Sequence, residues 1–331
     1  MGTNPKMAVF FDRLEQITES YLTRRRRLRR IKKEKQRAKN PVLDWIEAIL
    51  WAAGMVLLIN QYLMQAYQIP TGSMIDSLNI GDHVIVNKLV YGPELLPGVL
   101  KLPSVIEPKR NDIIVFENPT YISRGPVFDI AQRVIYMLTF SLVDIDRDEK
   151  GAQRVHFLIK RAAGSAGDRF IMDKGDMKIR FSGEDRWVYE KDYVKERGWN
   201  HNLSRMVNMN DYPAIEAAGY AVAWTDMQLP VPDELLEAYS GIGNIRNPDY
   251  LAYEQARLEM LRRLSPGDKR YATQYSQRVL GRYVPEGRVY PLGDNRDNSN
   301  DGRNFGPVRA SKVLGKGFII YWPMWRIGGI K

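Results

Sequence analysis

The 331-residue chain contains no cysteine, which excludes a disulfide framework, a thiolate metal site and a cysteine nucleophile. A hydrophobic content of 44% with 11% aromatics is ample for a buried core and excludes a disordered protein. The net charge of +10 is confined to one place: Arg24 to Lys39 holds eleven Lys or Arg against one acid, Glu34, an excess equal to that of the whole chain. A basic face for nucleic acid would spread its charge over a folded domain, so this run reads as a solvated tail and no nucleic-acid partner is expected.

Directly after the tail, Trp45 to Ala66 forms a 22-residue apolar stretch, about 33 Å long as a helix and enough for a bilayer core. Its uninterrupted apolar part runs only from Ala48 to Ile59, with Glu47, Asn60, Gln61 and Gln65 toward the ends. Trp45, Tyr62 and Tyr67 stand near the two ends as interfacial aromatics do, and the basic tail orients the segment with its N-terminus in the cytoplasm. The expected organisation is a cytoplasmic tail over 1–41, a single-pass anchor over 42–67 and an extracytoplasmic domain over 68–331. A cleaved leader fits poorly, because about 45 residues precede the apolar run and no small-x-small site follows it. A buried core helix is the other reading of so short a clean run.

From Gln68 onward the texture changes to short segments rich in branched and aromatic residues. Val84–Val86, Asp112–Phe116, Val155–Ile159, Arg169–Met172, Met177–Phe181 and Gly317–Trp322 read as strands, with Gly81-Asp82, Gly92-Pro93, Gly167-Asp168 and Gly293-Asp294 as turns beside them. The pattern predicts a mainly β fold with long connections. Two stretches depart from it. Asp129 to Val143, within an apolar insertion over 120–150, is too short to span a bilayer and reads as a strand, a buried helix or an interfacial segment. Residues 193–276 turn helical and form an inserted subdomain, in which Asp249 caps a helix that ends before Pro266-Gly267.

Four clusters set functional side chains among Gly and Pro. They are Gln68–Met74, Lys160–Asp168, Gly293–Arg303 and Lys109–Phe116, a turn entering a strand. Thr71-Gly72-Ser73 alone is an ordinary turn sequence. Lys160 and Arg161 close an apolar strand, so one of the two adjacent cations falls on the same side as buried residues. Desolvation lowers the pKa of a buried ammonium, and a neutral lysine can take a serine's proton. A solvated lysine at the strand end remains the competing reading at this point. Only three histidines exist, His83, His156 and His201, none of them in a Gly-rich turn, and the Gly-x-Ser-x-Gly elbow is missing. Asp297–Gly302 spaces its acids like a calcium loop, but Val308 occupies the position that needs a bidentate Glu, and Arg296 and Arg303 flank the acids. Alternating Asp and Arg there read as a hydrogen-bonded scaffold, and neither metal nor cofactor is expected.

Ile69-Pro-Thr-Gly-Ser-Met74 with Leu78, Gly81-Asp82, Lys88 and Tyr91-Gly92 resembles the serine box of bacterial type I signal peptidases. Ile159-Lys-Arg-Ala-Ala-Gly164 with Gly167-Asp168 resembles their lysine box, Asn111–Phe116 their strand box and Gly293–Arg303 their final box, in the same order and behind the same kind of anchor. The resemblance implies an antiparallel β catalytic core and a serine endopeptidase that removes signal peptides from exported preproteins, acting as a monomer at the cytoplasmic membrane without a cofactor. It implies Ser73 as nucleophile, Lys160 as general base, Ser299 orienting the lysine amine, and Thr71 with the Ser73 N–H as oxyanion donors. Asp294, Asp301, Arg303 and Arg161 would form the scaffold behind the site. Ile69, Pro70, Leu78, Leu158 and Ile159 would line pockets for the small residues of an Ala-x-Ala cleavage site. Asn111 departs from the family pattern by replacing a glycine; the alternatives are a processing peptidase of the same fold dedicated to a narrow class of surface proteins and a non-catalytic membrane-tethered binding module.

Overall fold

The computed structural model describes residues 16, 18–31, 40–96, 100–104, 106–149, 151, 154–199, 201–245 and 248–330. Parts of the expected basic tail, 1–15, 17 and 32–39, lie outside the described residues; 18–31 are helical and exposed. The chain divides into two compact units, Met1–Val56 and Leu57–Lys331.

Helix α1, Pro41–Tyr62, starts where Asn40 accepts a hydrogen bond from the Val42 N–H at 3.0 Å and Pro41 takes the first helical position, which needs no amide donor. Among the described residues it alone is long and apolar enough to cross a membrane. The helix ends five residues before the expected end of the anchor. Met64–Gln68 is a strand instead, β1, paired in register with β2, His83–Asn87. The switch follows the polar residues at the end of the apolar run: Gln65 is buried on β1 and accepts from the Tyr67 hydroxyl at 3.0 Å.

A small hairpin follows, β3 (Glu94–Leu96) with β4 (Leu100–Lys101), and then β5, Ile113–Glu117. Helix α2, Pro126–Leu138, interrupts the strands before β6, Phe157–Gly164. Next come β7 (Arg169–Asp173), β8 (Asp176–Arg180), β9 (Val188–Tyr189) and helix α3 (Glu190–Glu196). Four helices fill the expected helical insertion: α4, Tyr212–Asp226; α5, Asp233–Ser240; α6, Tyr250–Leu264; and α7, Lys269–Val279. Asp249 caps α6 by accepting from Leu251 N and Ala252 N, as its position predicts. Helices α4 and α6 approach closely through alanines and Gly219, where a Cβ would strike the Tyr253 carbonyl. The chain returns to sheet with β10 (Arg282–Tyr283) and β11 (Arg288–Leu292). A short α8 (Gly302–Phe305) precedes β12 (Val308–Arg309), β13 (Val313–Trp322) and β14 (Gly328–Gly329).

The main sheet is antiparallel and ordered β1-β2-β13-β5-β6-β11-β12, with β14 on β13; β10-β7-β8-β9 form a second sheet. The mainly β, antiparallel core with a partly helical insertion is therefore the observed architecture. Successive residues of β5 alternate between two cores. Ile113 and Val115 pack with Ile69, Met74 and Leu78, while Ile114 and Phe116 pack with Tyr91 and Ala162. Burial on both faces explains the unbroken apolar run of this strand.

Candidate active site

The serine and lysine clusters, 87 residues apart in sequence, meet beside strand β6 of the main sheet. Ser73 sits in a single 3-10 turn, Gly72–Met74, that follows β1, and Lys160 sits in the middle of β6 opposite Ile114. The Lys160 Nζ lies 2.5 Å from the Ser73 Oγ, and both residues are buried. Burial lowers the Lys160 ammonium pKa to about 8 against the opposing pull of the Asp301 and Asp294 carboxylates. A neutral amine at that distance can accept the hydroxyl proton.

Arg161, the adjacent cation, projects to the other face of the strand and is equally buried, so both cations point inward where the strand period alone predicts one. Its guanidinium grips Asp294 through Nε at 2.8 Å and Nη2 at 2.7 Å. Nη2 also donates to Ser77 Oγ, and Nη1 donates to the carbonyl and Oδ1 of Asn111. Asn111 has φ 77, in the left-handed region that suits glycine or asparagine, which accounts for the departure at this position.

The Gly293–Arg303 loop supports the serine turn from behind. The Asn295 N–H donates to the Ser73 carbonyl at 3.1 Å, and its Nδ2 donates to the Gly72 carbonyl at 3.0 Å. Gly293 permits this approach, because a Cβ there would lie 2.6 Å from the Ser73 oxygen. Asp301 is fully buried and accepts from Gly293 N, Arg303 N and Arg303 Nε. Burial pushes its carboxyl up, but Arg303 and these amides outweigh it and hold the pKa below the ordinary range. Arg296 donates to the Gly293 carbonyl and to Glu190, and Arg303 reaches the Arg296 carbonyl.

A cleft of about 330 Å³ runs from the Ser73–Lys160 pair along Tyr67–Met74 on one side and Arg154–Lys160 on the other, with Gln132, Tyr136 and Asp144 from the 120–150 insertion completing the wall. Ile69, Pro70, Thr71, Leu158 and Ile159 all line it. Leu78 does not, and that expectation is corrected: its side chain is fully buried in the core with Met74 and Val84, where the tight turn after Ser73 directs it. Ser299 also differs from expectation. Its Oγ is buried with no hydrogen-bond partner, so no bond to the Lys160 amine is present, and the hydroxyl rests against Gly293. Sequence reasoning missed Asn295, Ser77 and the structural part played by Asn111. The signal for Asn295 was its place in a dense polar loop; for Ser77 there was none.

His156 is the remaining candidate base in the cleft. It stands four strand residues before Lys160, about 13 Å along an extended chain. Its Nε2 is 3.0 Å from Asp146 and its ring lies tilted against Tyr121, so it is committed elsewhere. Among the described residues no group of acids and histidines could hold a metal ion.

An antiparallel β core that buries a serine against a lysine at the wall of a cleft is an arrangement compatible with a serine peptidase. The family described as signal peptidase, peptidase S26, matches residues 42–322, and the chain belongs to that family. Signal peptidase I of Aquifex aeolicus (strain VF5) is 27% identical over 267 residues, covering 81% of this chain and 79% of that protein. Signal peptidase I of Haemophilus influenzae is 26% identical over 84% of this chain and 69% of its own length, and that of Pseudomonas aeruginosa is 23% identical over 81% and 69%. The chain is accordingly a serine endopeptidase.

Proposed function

We propose that this chain is a membrane-anchored endopeptidase that removes N-terminal signal peptides from exported preproteins, with Ser73 as nucleophile and Lys160 as general base. The observation that carries the reading is the buried 2.5 Å contact between Lys160 Nζ and Ser73 Oγ, with the amine pKa drawn down to about 8. Lys160 takes the hydroxyl proton as Ser73 Oγ attacks the scissile carbonyl, and returns it to the leaving amine as the tetrahedral intermediate collapses to an acyl-enzyme. That amine is the new N-terminus of the mature protein, which leaves at this step; water then repeats the sequence on the acyl-enzyme and releases the signal peptide. Ser73 lies in the first turn of its 3-10 segment, where amides lack intrahelical partners. Its N–H and the Thr71 hydroxyl at the cleft wall face the developing oxyanion. The buried Ser299 hydroxyl, which has no hydrogen-bond partner of its own, is the candidate to orient the lysine amine.

Ile69, Pro70, Leu158 and Ile159 favour small side chains one and three residues before the scissile bond, an Ala-x-Ala pattern. Helix α1 serves as the single-pass anchor, and the basic tail before it keeps the N-terminus cytoplasmic and the catalytic unit outside. The test is cleavage of a preprotein bearing an Ala-x-Ala site by detergent-solubilised wild type, Ser73→Ala and Lys160→Met. Both variants should be folded and inactive; activity surviving in folded Lys160→Met would end the assignment of the base.

A further inference from the structure

We propose that a second cavity, walled in part by Arg296 of the loop Gly293–Arg303, binds a small apolar molecule that ends in a carboxylate. The site is separate from the Ser73–Lys160 cleft, and the proposal goes beyond the peptidase reading. The cavity measures about 340 Å³, much the size of the cleft itself. Its walls come from the start of β8, from α3 and from the segment 203–209, with Arg296 contributed by the loop. Met177, Leu203, Val207 and Met209 give it an apolar lining, and the two unbranched thioethers adapt to ligands of different shape. A cavity of this size, apolar with a few convergent polar groups, has the form of a small-molecule site.

The polar groups indicate the ligand's other end, because donors in the wall outnumber the acceptors that serve them. Three cations line the cavity, Lys191, Arg205 and Arg296, against two acids, Asp176 and Glu190. Asp176 is shared between Lys191 Nζ at 2.8 Å and Arg205 Nη1 at 3.1 Å, while Asp297, behind the lining, accepts from Arg205 Nε and from the amides of Met206 and Val207. Arg296 is only 3% exposed; its Nε donates to the Gly293 carbonyl at 2.9 Å and its Nη1 to Glu190. Its Nη2 has no hydrogen-bond partner among the described residues. A buried donor on a charged group is costly to leave unpaired, and a carboxylate oxygen meets it with a stronger bond than a neutral carbonyl does. Arg296 also ties the site to catalysis. Its backbone N–H donates to the Ser204 carbonyl, and Ser204 N–H donates to the Asp294 carbonyl, so the segment that walls the cavity is laced to the loop that holds the Ser73 turn.

The test is equilibrium dialysis of the detergent-solubilised full chain against radiolabelled N-acetyl-L-methionine, with N-acetyl-L-methioninamide as the uncharged isostere. Wild type should bind a single equivalent of the acid with a Kd of about 1 mM or tighter, a level open to a ligand of about a dozen non-hydrogen atoms, and the amide about tenfold more weakly or worse. Met209 is 55% exposed, so Met209→Trp fills the cavity from its rim without touching the ion pairs, and it should weaken binding of both compounds at least tenfold. Lys191→Gln, at an equally open position, should weaken the acid and leave the amide unchanged. Ser73→Ala saturated with an uncleaved Ala-x-Ala peptide should bind the acid as wild type does. No saturable binding up to about 10 mM, equal affinity for acid and amide, full binding by Met209→Trp, or displacement by the peptide, which would place the ligand in the cleft, would each overturn the proposal. The readout is binding and not cleavage, so it is separate from the fate of the catalytic assignment.

Discussion

Asn295 holds the peptide that carries the nucleophile by two bonds, one from its backbone N–H to the Ser73 carbonyl and one from its side chain to the Gly72 carbonyl. The second is removable by mutation, and a buried neutral hydrogen bond of this kind contributes about 1 kcal/mol, more when an acceptor is left unpaired. Asn295→Ala should therefore lower kcat about tenfold with KM little changed, because the turn loosens where the hydroxyl must be aimed and the cleft walls stay put. A KM that rises as much as kcat falls would show Asn295 to be a cleft residue instead.

The pKa of about 8 at Lys160 sets a pH profile with a definite sign. Only the neutral amine accepts a proton, so kcat/KM for a substrate without titratable groups near the scissile bond should rise with pH, about tenfold per unit below 8, and level off above it. A profile flat from pH 5 to 9 would rule out a lysine base.

The same depressed pKa bears on stability. Lowering the buried Lys160 from its ordinary 10.5 to about 8 corresponds to about 3 kcal/mol of folding free energy withheld at neutral pH. Below pH 8 the group is protonated in both folded and unfolded chains and the penalty is complete. Between 8 and 10.5 the unfolded chain binds the extra proton, so wild-type stability climbs. Lys160→Met should accordingly be more resistant to urea than wild type at pH 7, by up to about 3 kcal/mol, with the advantage shrinking toward pH 10. An advantage that stays constant with pH would mean that the gain comes from packing and not from the buried charge.

Thr71 lies exposed on the cleft wall with no capping hydrogen bond to spend its hydroxyl on, which leaves that hydroxyl available to a reaction intermediate. Thr71→Ser should be nearly silent, and Thr71→Ala should lose roughly a hundredfold or more in kcat, the scale of a single oxyanion donor. Equal rates for the two variants would remove Thr71 from the oxyanion hole.

Sequence patterning read the core strands well because they obey simple periods. Val84–Val86, Asp112–Phe116 and Gly317–Trp322 all fall within or next to observed strands, and Asp249 caps its helix where the sequence places it. What escaped did so for physical reasons. Pro291 disguises β11, and the sheet admits it only at a register shift between Tyr290 and Pro291. The step from helix to strand near Leu63 was hidden because both elements are apolar enough to read as one span. The resemblance of the site clusters to the boxes of a known family pointed to Ser73, Lys160, Arg161 and Asp294, but the long-range bonds of Ser77 and Asn295, spanning 217 and 223 residues, leave no local pattern to read. Leu78 was misread because the turn after Ser73 folds its side chain into the core, a direction that spacing from the serine does not encode.

The Arg161–Asp294 pair offers the sharpest test of how the scaffold is held. Asp294 is fully buried and accepts from Arg161 twice and from Ser77 Oγ at 2.6 Å, with almost no solvent to screen either charge. Two buried charges repay their desolvation only while both are present, so Asp294→Ala should cost about 3–5 kcal/mol by leaving the guanidinium without its carboxylate. The double variant Arg161→Met, Asp294→Leu removes both charges and fills much of the volume, and it should recover most of that loss. It should not recover catalysis, because Asn295 follows Asp294 directly and loses the support that aligns the Ser73 turn. Urea midpoints and cleavage rates measured on the same preparations separate the two effects. A double variant as unstable as Asp294→Ala would show that the pair matters for its shape in the core, whereas a stable and active one would show that the loop keeps its geometry without these charges.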